Sequence, residues 1–359
     1  FTVFDYPVRF LHRPHLYANT YKVGWDGNAE EYKTYLEKTF KETKVPVEIV
    51  DDDGPIIEPT FKAWWGVPDM PKINFKNDGA RQWALDVTEH WIKNFDIDGW
   101  RMDVAKELDF SFWKDFRDVA YSAKKDILLI SEIFGDTSQW LQGERFDGTM
   151  NYSFRETMTD YFATKRIDNK EFANSLANLY SMYSFEALSS CQNLLSSHDV
   201  KRFLNRCGAN TDGMFGAVFL QATFPGIAGI YYGDEIGLGG ADDPFNREPF
   251  PWESEDKWNK DLLKFTSELM NIKTSQPILR YGNFEMVTYD DNYVIFRRVL
   301  NDESLLCIVN RDLNNKDIEL NTNAHSVDMV YGDCTIELDS GKLKITDIAD
   351  NFGLIIKES

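Results

Sequence analysis

Asp103, Glu132 and Asp199 each lie towards the end of a short, largely apolar run: Phe95 to Ala105, Asp126 to Phe134, and Gln192 to Asp199. An extended chain alternates its side chains between two faces, so Ile97, Gly99 and Arg101 share a face with Asp103, Leu128 and Ile130 with Glu132, and Leu195 and Ser197 with Asp199. Any one of these acids could simply cap the helix that follows. Three in one chain favour a task, because an inward carboxylate is costly to desolvate without a partner or a use. Three carboxylates around one pocket suit cleavage of a glycosidic bond. One acid protonates the leaving oxygen, a second attacks or activates water, and a third holds ring hydroxyls. Arg101, about 7 Å along the strand from Asp103, is expected to hold Asp103 ionised, as a nucleophile requires. Glu132 follows Leu128 and Ile130, and partial desolvation is expected to raise it towards a general acid.

The elements that must position these acids alternate along the chain. Asp78 to Asn94 reads as a helix with Trp83, Val87 and Trp91 at helical spacing, and the Asp103 strand follows it. A helix over Asp109 to Ser122, the Glu132 strand and a short strand at Phe146 to Tyr152 come next. Helices are expected at Ser153 to Phe162 and Lys170 to Tyr183, then the Asp199 strand, a helix over Gly213 to Thr223, and a strand over Gly229 to Glu235. A turn-rich loop (Gly239 to Trp252) and a helix (Lys257 to Thr274) close the region. This is the texture of parallel strands joined by helices, five strands in all, and the carboxyl ends of such strands are where ligands bind. From about Tyr281 short alternating strands with Asn, Asp and Gly turns predict a small antiparallel β domain. Residues 1 to 60 are irregular apart from a helical candidate at Ala29 to Lys44, and the loop Phe61 to Asn74 carries the pair Trp64 and Trp65. Those tryptophans serve equally as core plugs and as walls of a sugar site.

The composition narrows the classes. A chain of 359 residues that is 43% hydrophobic can bury one large core and a smaller one. Its formal charge of -20 disfavours nucleic acid and anionic membranes as partners. No run of about 18 apolar residues suggests a membrane span. Cys191, Cys207, Cys307 and Cys334 have no close spacing and read as free thiols, and the five scattered histidines argue against a histidine-built metal site. The opening Phe1-Thr2-Val3-Phe4-Asp5-Tyr6 has neither an initiator methionine nor a signal-peptide pattern, so the chain is expected to begin inside a longer protein. The compartment is open, with the cytoplasm favoured over secretion.

The motifs themselves resemble the α-amylase family, glycoside hydrolase family 13. Asp98-Gly99-Trp100-Arg101-Met102-Asp103-Val104-Ala105-Lys106-Glu107 is similar to that family's second signature region, Ser131-Glu132-Ile133-Phe134-Gly135-Asp136 to the third, and Leu195-Ser196-Ser197-His198-Asp199 to the fourth. Gly229-Ile230-Tyr231-Tyr232-Gly233-Asp234-Glu235 resembles the segment at the eighth barrel strand. Met70-Pro71-Lys72-Ile73-Asn74 and the Ser-His-Asp triplet resemble the neopullulanase, cyclomaltodextrinase and maltogenic amylase group.

The resemblance implies a (β/α)₈ TIM barrel, with strands four to eight in this chain, and a C-terminal antiparallel β domain. Residues 1–60 would then be the loop region after the third barrel strand, 61–280 the C-terminal part of the catalytic barrel, and 281–359 a β-sandwich. It further implies a retaining hydrolase of α-1,4-glucosidic bonds, with α-1,6 cleavage, transglycosylation and endo-acting amylase activity as alternatives. The implied roles are Asp103 as nucleophile, Glu132 as acid/base and Asp199 as transition-state stabiliser. Arg101, His198, Lys106, Glu107, Trp64 and Trp65 would contact or frame the substrate. The implied partners are an α-glucan and the rest of the barrel, from the same protein or a second chain, with a homodimer as a further expectation. No cofactor or catalytic metal is expected. A structural calcium is common in the family, and Glu107 stands where many members have a histidine whose carbonyl binds it.

Overall fold

The computed structural model describes residues 62–64, 70–311, 316–349 and 352–359, together with the backbone of three short strands further upstream. Those strands, β1 (Phe10–Leu11), β2 (Val47–Ile49) and β3 (Pro55–Ile57), pair antiparallel in the order β1-β3-β2. The helix expected at Ala29 to Lys44 and the side chain of Trp65 lie outside the described residues. The molecule divides into two compact units, residues 1–98 with 107–127, and residues 99–106 with 128–359.

In the first unit, α1 (Asp78–Phe95) starts where the Asn77 side chain accepts the Ala80 amide, which satisfies one of the unpaired donors of a first turn. It ends at Asp96, whose left-handed φ of 50° closes the last turn. Leu85, Thr88 and Ile92 are buried on it. Next to it in this unit is α2 (Phe110–Ala123), with Phe112, Trp113, Phe116 and Ala120 buried. Arg81 ties the two helices through Asp115 at 2.7 Å, and the rings of Phe75 and Phe112 stack at 4.1 Å.

The second unit opens with five parallel strands. β4 (Gly99–Met102) pairs with β5 (Leu128–Ser131), which pairs with β6 (Gly148–Thr149). The bridge from Met150 to Gln192 continues the run into β7 (Gln192–Leu194), which pairs with β8 (Ile227–Gly229). Between them lie α3 (Tyr152–Met158), α4 (Asn169–Ser181), α5 (Phe185–Ser190), α6 (Phe203–Arg206) and α7 (Asp212–Thr223); α8 (Lys260–Ser275) and α9 (Pro277–Tyr281) follow β8. Several boundaries depart from expectation: β6 holds only Gly148–Thr149 of the strand expected over Phe146 to Tyr152, and β7 ends at Leu194 rather than running on to Asp199. The helix expected at Lys170 to Tyr183 is α4, Asn169–Ser181; Ser184 then takes an extended backbone and its hydroxyl accepts the Ala187 amide, starting α5, a helix the sequence reading did not include. The last strand stops at Gly229 rather than running to Glu235. Its expected apolar continuation, Tyr231 and Tyr232, turns away so that both rings face the guanidinium of Arg202, at 4.6 and 4.8 Å.

Residues 283 onward form two antiparallel sheets within the same unit. One has the order β13-β16-β11-β10-β9, built from Asn283–Tyr289 (β9), Val294–Leu300 (β10), Glu303–Val309 (β11), Val327–Tyr331 (β13) and Gly353–Glu358 (β16). The other, β12-β15-β14, pairs Ile318–Asn321 (β12), Lys342–Thr346 (β15) and Thr335–Asp339 (β14). Tyr293, Ile295, Leu306, Ile308, Ile318, Leu343, Ile345, Leu354 and Ile356 fill one core between them, the packing of a β-sandwich.

Candidate active site

The carboxyl ends of β4 and β5, with the turn after β7, bring Arg101, Asp103, Glu132, His198 and Asp199 into one cluster. Arg101 is the hub: its Nη1 lies 2.7 Å from Asp103 Oδ1 and its Nη2 lies 2.5 Å from Glu132 Oε1. The Asp103 contact is as expected. The reach to Glu132 is not legible from strand parity, since it needs the parallel register that sets Arg101 beside Ile130. Asp103 sits in the turn after β4 with its side chain 70% exposed, and Val104 behind it has a left-handed φ of 46°. A β-branched residue there costs roughly 1–3 kcal/mol and is held by its surroundings. The Val104 amide points at Glu132 Oε2, 3.4 Å away, and the Ala105 amide donates to the Glu132 carbonyl.

Glu132 is the buried acid, with its side chain 5% exposed. Burial drives its pKa up to about 7, against the opposing charge of Arg101, and hydrogen bonding with Asp103 and Asp199 adds to the rise. Desolvation therefore outweighs a guanidinium in contact. Asp199 is exposed; its Oδ2 lies 3.1 Å from His198 Nε2 and its Oδ1 lies 3.3 Å from Arg247 Nη2. Arg247 was not singled out from sequence. It lies on the turn Phe245–Arg247 of the loop after β8, where neither periodicity nor a motif marks it. There its Nε donates to the His198 carbonyl at 2.9 Å, and Asn246 donates to the His198 and Val200 carbonyls. Tyr152 was missed too: its hydroxyl is 3.1 Å from Ser197 Oγ, and its ring stacks on Phe134 at 3.8 Å.

Of the remaining expected residues, Lys106 belongs to the second unit and Glu107 and Trp64 to the first. Lys106 is exposed on the turn Ala105–Glu107. Glu107 belongs to the first unit, where Lys72 Nζ lies 2.8 Å from its carbonyl oxygen and 3.2 Å from its carboxylate. Trp64, half-buried in the same unit, follows Ala63, which bridges to Pro71.

Two metal sites can be tested against the donors present. Glu132, His198 and Asp199 offer ligand atoms within 4.8 Å of one another. Two guanidinium groups already press on those carboxylates, so a divalent ion there would meet cationic repulsion. The Glu107 carbonyl, the expected calcium ligand, already accepts a lysine ammonium, so it does not fit that ion either.

One buried acid and two more exposed acids, held by arginines at the ends of parallel strands, make this an α/β protein with an acid-rich site at its strand ends. Residues 60–276 match the alpha amylase catalytic domain, and the chain belongs to the alpha-amylase family. It is 39% identical over 246 residues to neopullulanase 2 of Thermoactinomyces vulgaris, covering 68% of this chain and 42% of that one. It is 38% identical over 253 residues to the cyclomaltodextrinase of Thermoanaerobacter pseudethanolicus, covering 70% and 44%. Among solved structures it resembles the Nostoc punctiforme debranching enzyme, with a TM-score of 0.77 and 28% identity over 88% of this chain and 68% of that one. A cyclomaltodextrinase structure gives 0.76 and 30% over 84% and 52%. The chain thus spans less than half the length of the two named curated relatives.

Proposed function

We propose that this protein is a retaining glycoside hydrolase acting on α-1,4-glucosidic bonds of maltooligosaccharides, cyclomaltodextrins, pullulan or starch, with α-1,6 links also accepted. The unequal setting of the acids carries the reading. Glu132, buried and raised to about 7, holds a proton for the leaving oxygen. Asp103, exposed beside Arg101, attacks the anomeric carbon. Inverting enzymes keep their acids about 6.5–9.5 Å apart to admit water; one guanidinium, Arg101, in contact with both Asp103 and Glu132 supports the shorter spacing of double displacement. The arginine-held Asp199, with His198, binds ring hydroxyls as the sugar distorts. Lys106, Glu107, Trp64 and Trp65 are assigned to substrate contacts by the family pattern.

The five parallel strands are read as strands four to eight of a (β/α)₈ barrel whose other three come from polypeptide outside this chain, in the same protein or a partner. A homodimer is compatible with that reading. Calcium is not required: with Lys72 on the Glu107 carbonyl, activity in excess chelator should equal that without it.

Incubation with cyclomaltodextrin, pullulan and starch in parallel, following products and anomeric configuration, tests the function. Opening of cyclomaltodextrin faster than starch with α-configured products supports it. β-configured first products would overturn the retaining mechanism, and a product mixture dominated by longer glucans would mark a transglycosylase.

A further inference from the structure

Asp199 stands beyond the end of β7 at Leu194, so no ladder of the sheet fixes it. The chain there makes a short loop, residues 197–202, that leaves Ser196 and returns to start α6 at Phe203. The tip of this loop is tied down by the turn after β8, through Asn246 and Arg247 on the His198 and Val200 carbonyls. Its base is closed by one hydroxyl. The Phe203 amide donates to Ser196 Oγ at 2.9 Å, and Ser196 Oγ donates to Asp234 Oδ1 at 2.9 Å. Arg202, the residue before α6, gives that helix no side-chain acceptor, so Ser196 takes the place of a cap from further upstream. The whole arrangement is buried: Ser196 is 2% exposed, Asp234 5% and Arg202 0%.

We infer that Ser196 is a positioning residue for Asp199, its hydroxyl a two-way clamp on the loop that bears the acid. The inference rests on the role assigned to Asp199 above. A hydroxyl has one proton to give and lone pairs to receive with. The Phe203 amide takes a lone pair and the Asp234 carboxyl takes the proton, so both capacities are committed and the hydroxyl is fixed in one direction. Asp234 is itself held. Arg202 Nη1 lies 3.3 Å from the same Oδ1 and donates to the Tyr232 carbonyl at 2.8 Å, and the Arg202 amide donates to the Gly240 carbonyl at 3.1 Å. The Tyr231 and Tyr232 rings flank the guanidinium. The segment after β8 therefore ties the loop at both places, its base through Asp234 and its tip through Asn246 and Arg247. From Ser196 the path to the acid is short: the Asp199 amide donates to Ser197 Oγ at 3.2 Å, and Ser197 bridges to Val200. An alanine at position 196 would leave a buried amide and a buried carboxyl without this partner, and the loop would shift to find others. Buried as it is, Ser196 acts through the placement of Asp199 rather than on the sugar, and misplacing a reacting group by about 1 Å costs about 10²-fold in rate.

The test is a double-mutant cycle in the full-length protein, with maltosyl fluoride as substrate so that the slowest variant still turns over measurably. Ser196→Ala should lower kcat about tenfold or more and leave KM within about twofold. Asp199→Asn should lower kcat by more than that. In the Asp199→Asn background, Ser196→Ala should change kcat by less than about twofold, because the clamp then has no carboxylate to place. Amide hydrogen exchange is the second readout: Ser196→Ala should quicken exchange at Phe203 about tenfold or more while α7 exchanges as before, with circular dichroism confirming the fold. Ser196→Cys, which fills the site but donates and accepts weakly, should repeat the pattern. A loss of equal size in both backgrounds shows that Ser196 does not act through Asp199 and overturns this inference alone. Quickened exchange with kcat unaltered, a loss carried by KM, or exchange at Phe203 that stays slow each does the same. Full rate in Asp199→Asn, or no turnover by the unsubstituted protein, overturns the functional reading and this inference with it.

Discussion

Glu132 holds a proton near neutrality although a guanidinium lies 2.5 Å away, and the balance of those two effects makes a prediction. In its proposed role Glu132 must be protonated to act, so activity should fall on the alkaline side of about pH 7, the value to which burial raises it. Arg101 lowers that pKa, so Arg101→Gln should move the alkaline limb upward while lowering the rate; a limb that stays put would show that Arg101 does not act on the acid. Glu132→Gln should cost about 10²–10⁴-fold on glucans yet leave the first step on glycosyl fluorides largely intact, because a good leaving group needs little protonation. Equal losses on both substrates would assign Glu132 another role. Asp103→Asn should lower turnover about 10⁴-fold or more on either substrate, as removal of a covalent nucleophile does. The carboxylates and Arg101 were legible in the sequence because each lies in or just after a short apolar run, but parity does not place Asp199: β7 ends at Leu194, and Asp199 lies in the turn closed by the Ser197–Val200 bridge. Arg247 and Tyr152 were not legible, since each reaches the cluster through a fold-level return of the chain, 48 residues from Asp199 and 45 from Ser197.

At the scale of elements, the parallel strands are short and depend on backbone approach. β6 has only Gly148 and Thr149, and a Cβ at Gly148 would stand 2.1 Å from the Ser190 carbonyl oxygen. That neighbour is backbone and cannot swing away. Gly148→Ala should therefore destabilise the protein by about 1–3 kcal/mol, as overpacking does, read as a lower denaturation midpoint. A midpoint equal to that of the unsubstituted protein would mean that β6 shifts freely and does not fix the site. Long, strongly periodic elements were legible: α1 was expected over Asp78 to Asn94 and is found over Asp78–Phe95. Element ends were less so, because their causes are local hydrogen bonds and ring contacts. Ser184 capping Ala187 starts a further short helix, α5, that the sequence reading did not include. The Tyr231 and Tyr232 rings around Arg202 end β8 early, although as a string of apolar residues they read as strand. Thr159–Ala163 widens into a π-turn at the end of α3, which no pattern in the side chains announces.

Over the whole second unit, the parallel strands and the C-terminal sheets are joined by buried cations rather than by apolar packing alone. Arg298 of β10, fully buried, donates to the Thr223 carbonyl at the end of α7 and to the Gly282 carbonyl before β9. Lys273 of α8 donates to the Ala222 and Phe224 carbonyls at the same helix end. Two positive charges at a helix C-terminus oppose its negative pole and satisfy its unpaired carbonyls. One cooperative unfolding transition for both parts follows, and Arg298→Met should lower it as a whole rather than release the sheets alone. The lysine adds a pH dependence of definite sign. Burial, helped by the charge of Arg298, lowers Lys273 from 10.5 to about 7, so between those values the unfolded chain binds more protons than the folded one. This contribution to stability therefore rises as pH climbs from about 7 towards 10.5. Between pH 7 and 9 the unsubstituted protein should gain stability relative to Lys273→Met, measured by denaturant midpoint at each pH. If the two midpoints run parallel, Lys273 titrates alike in both states and its ammonium is solvated in the folded protein.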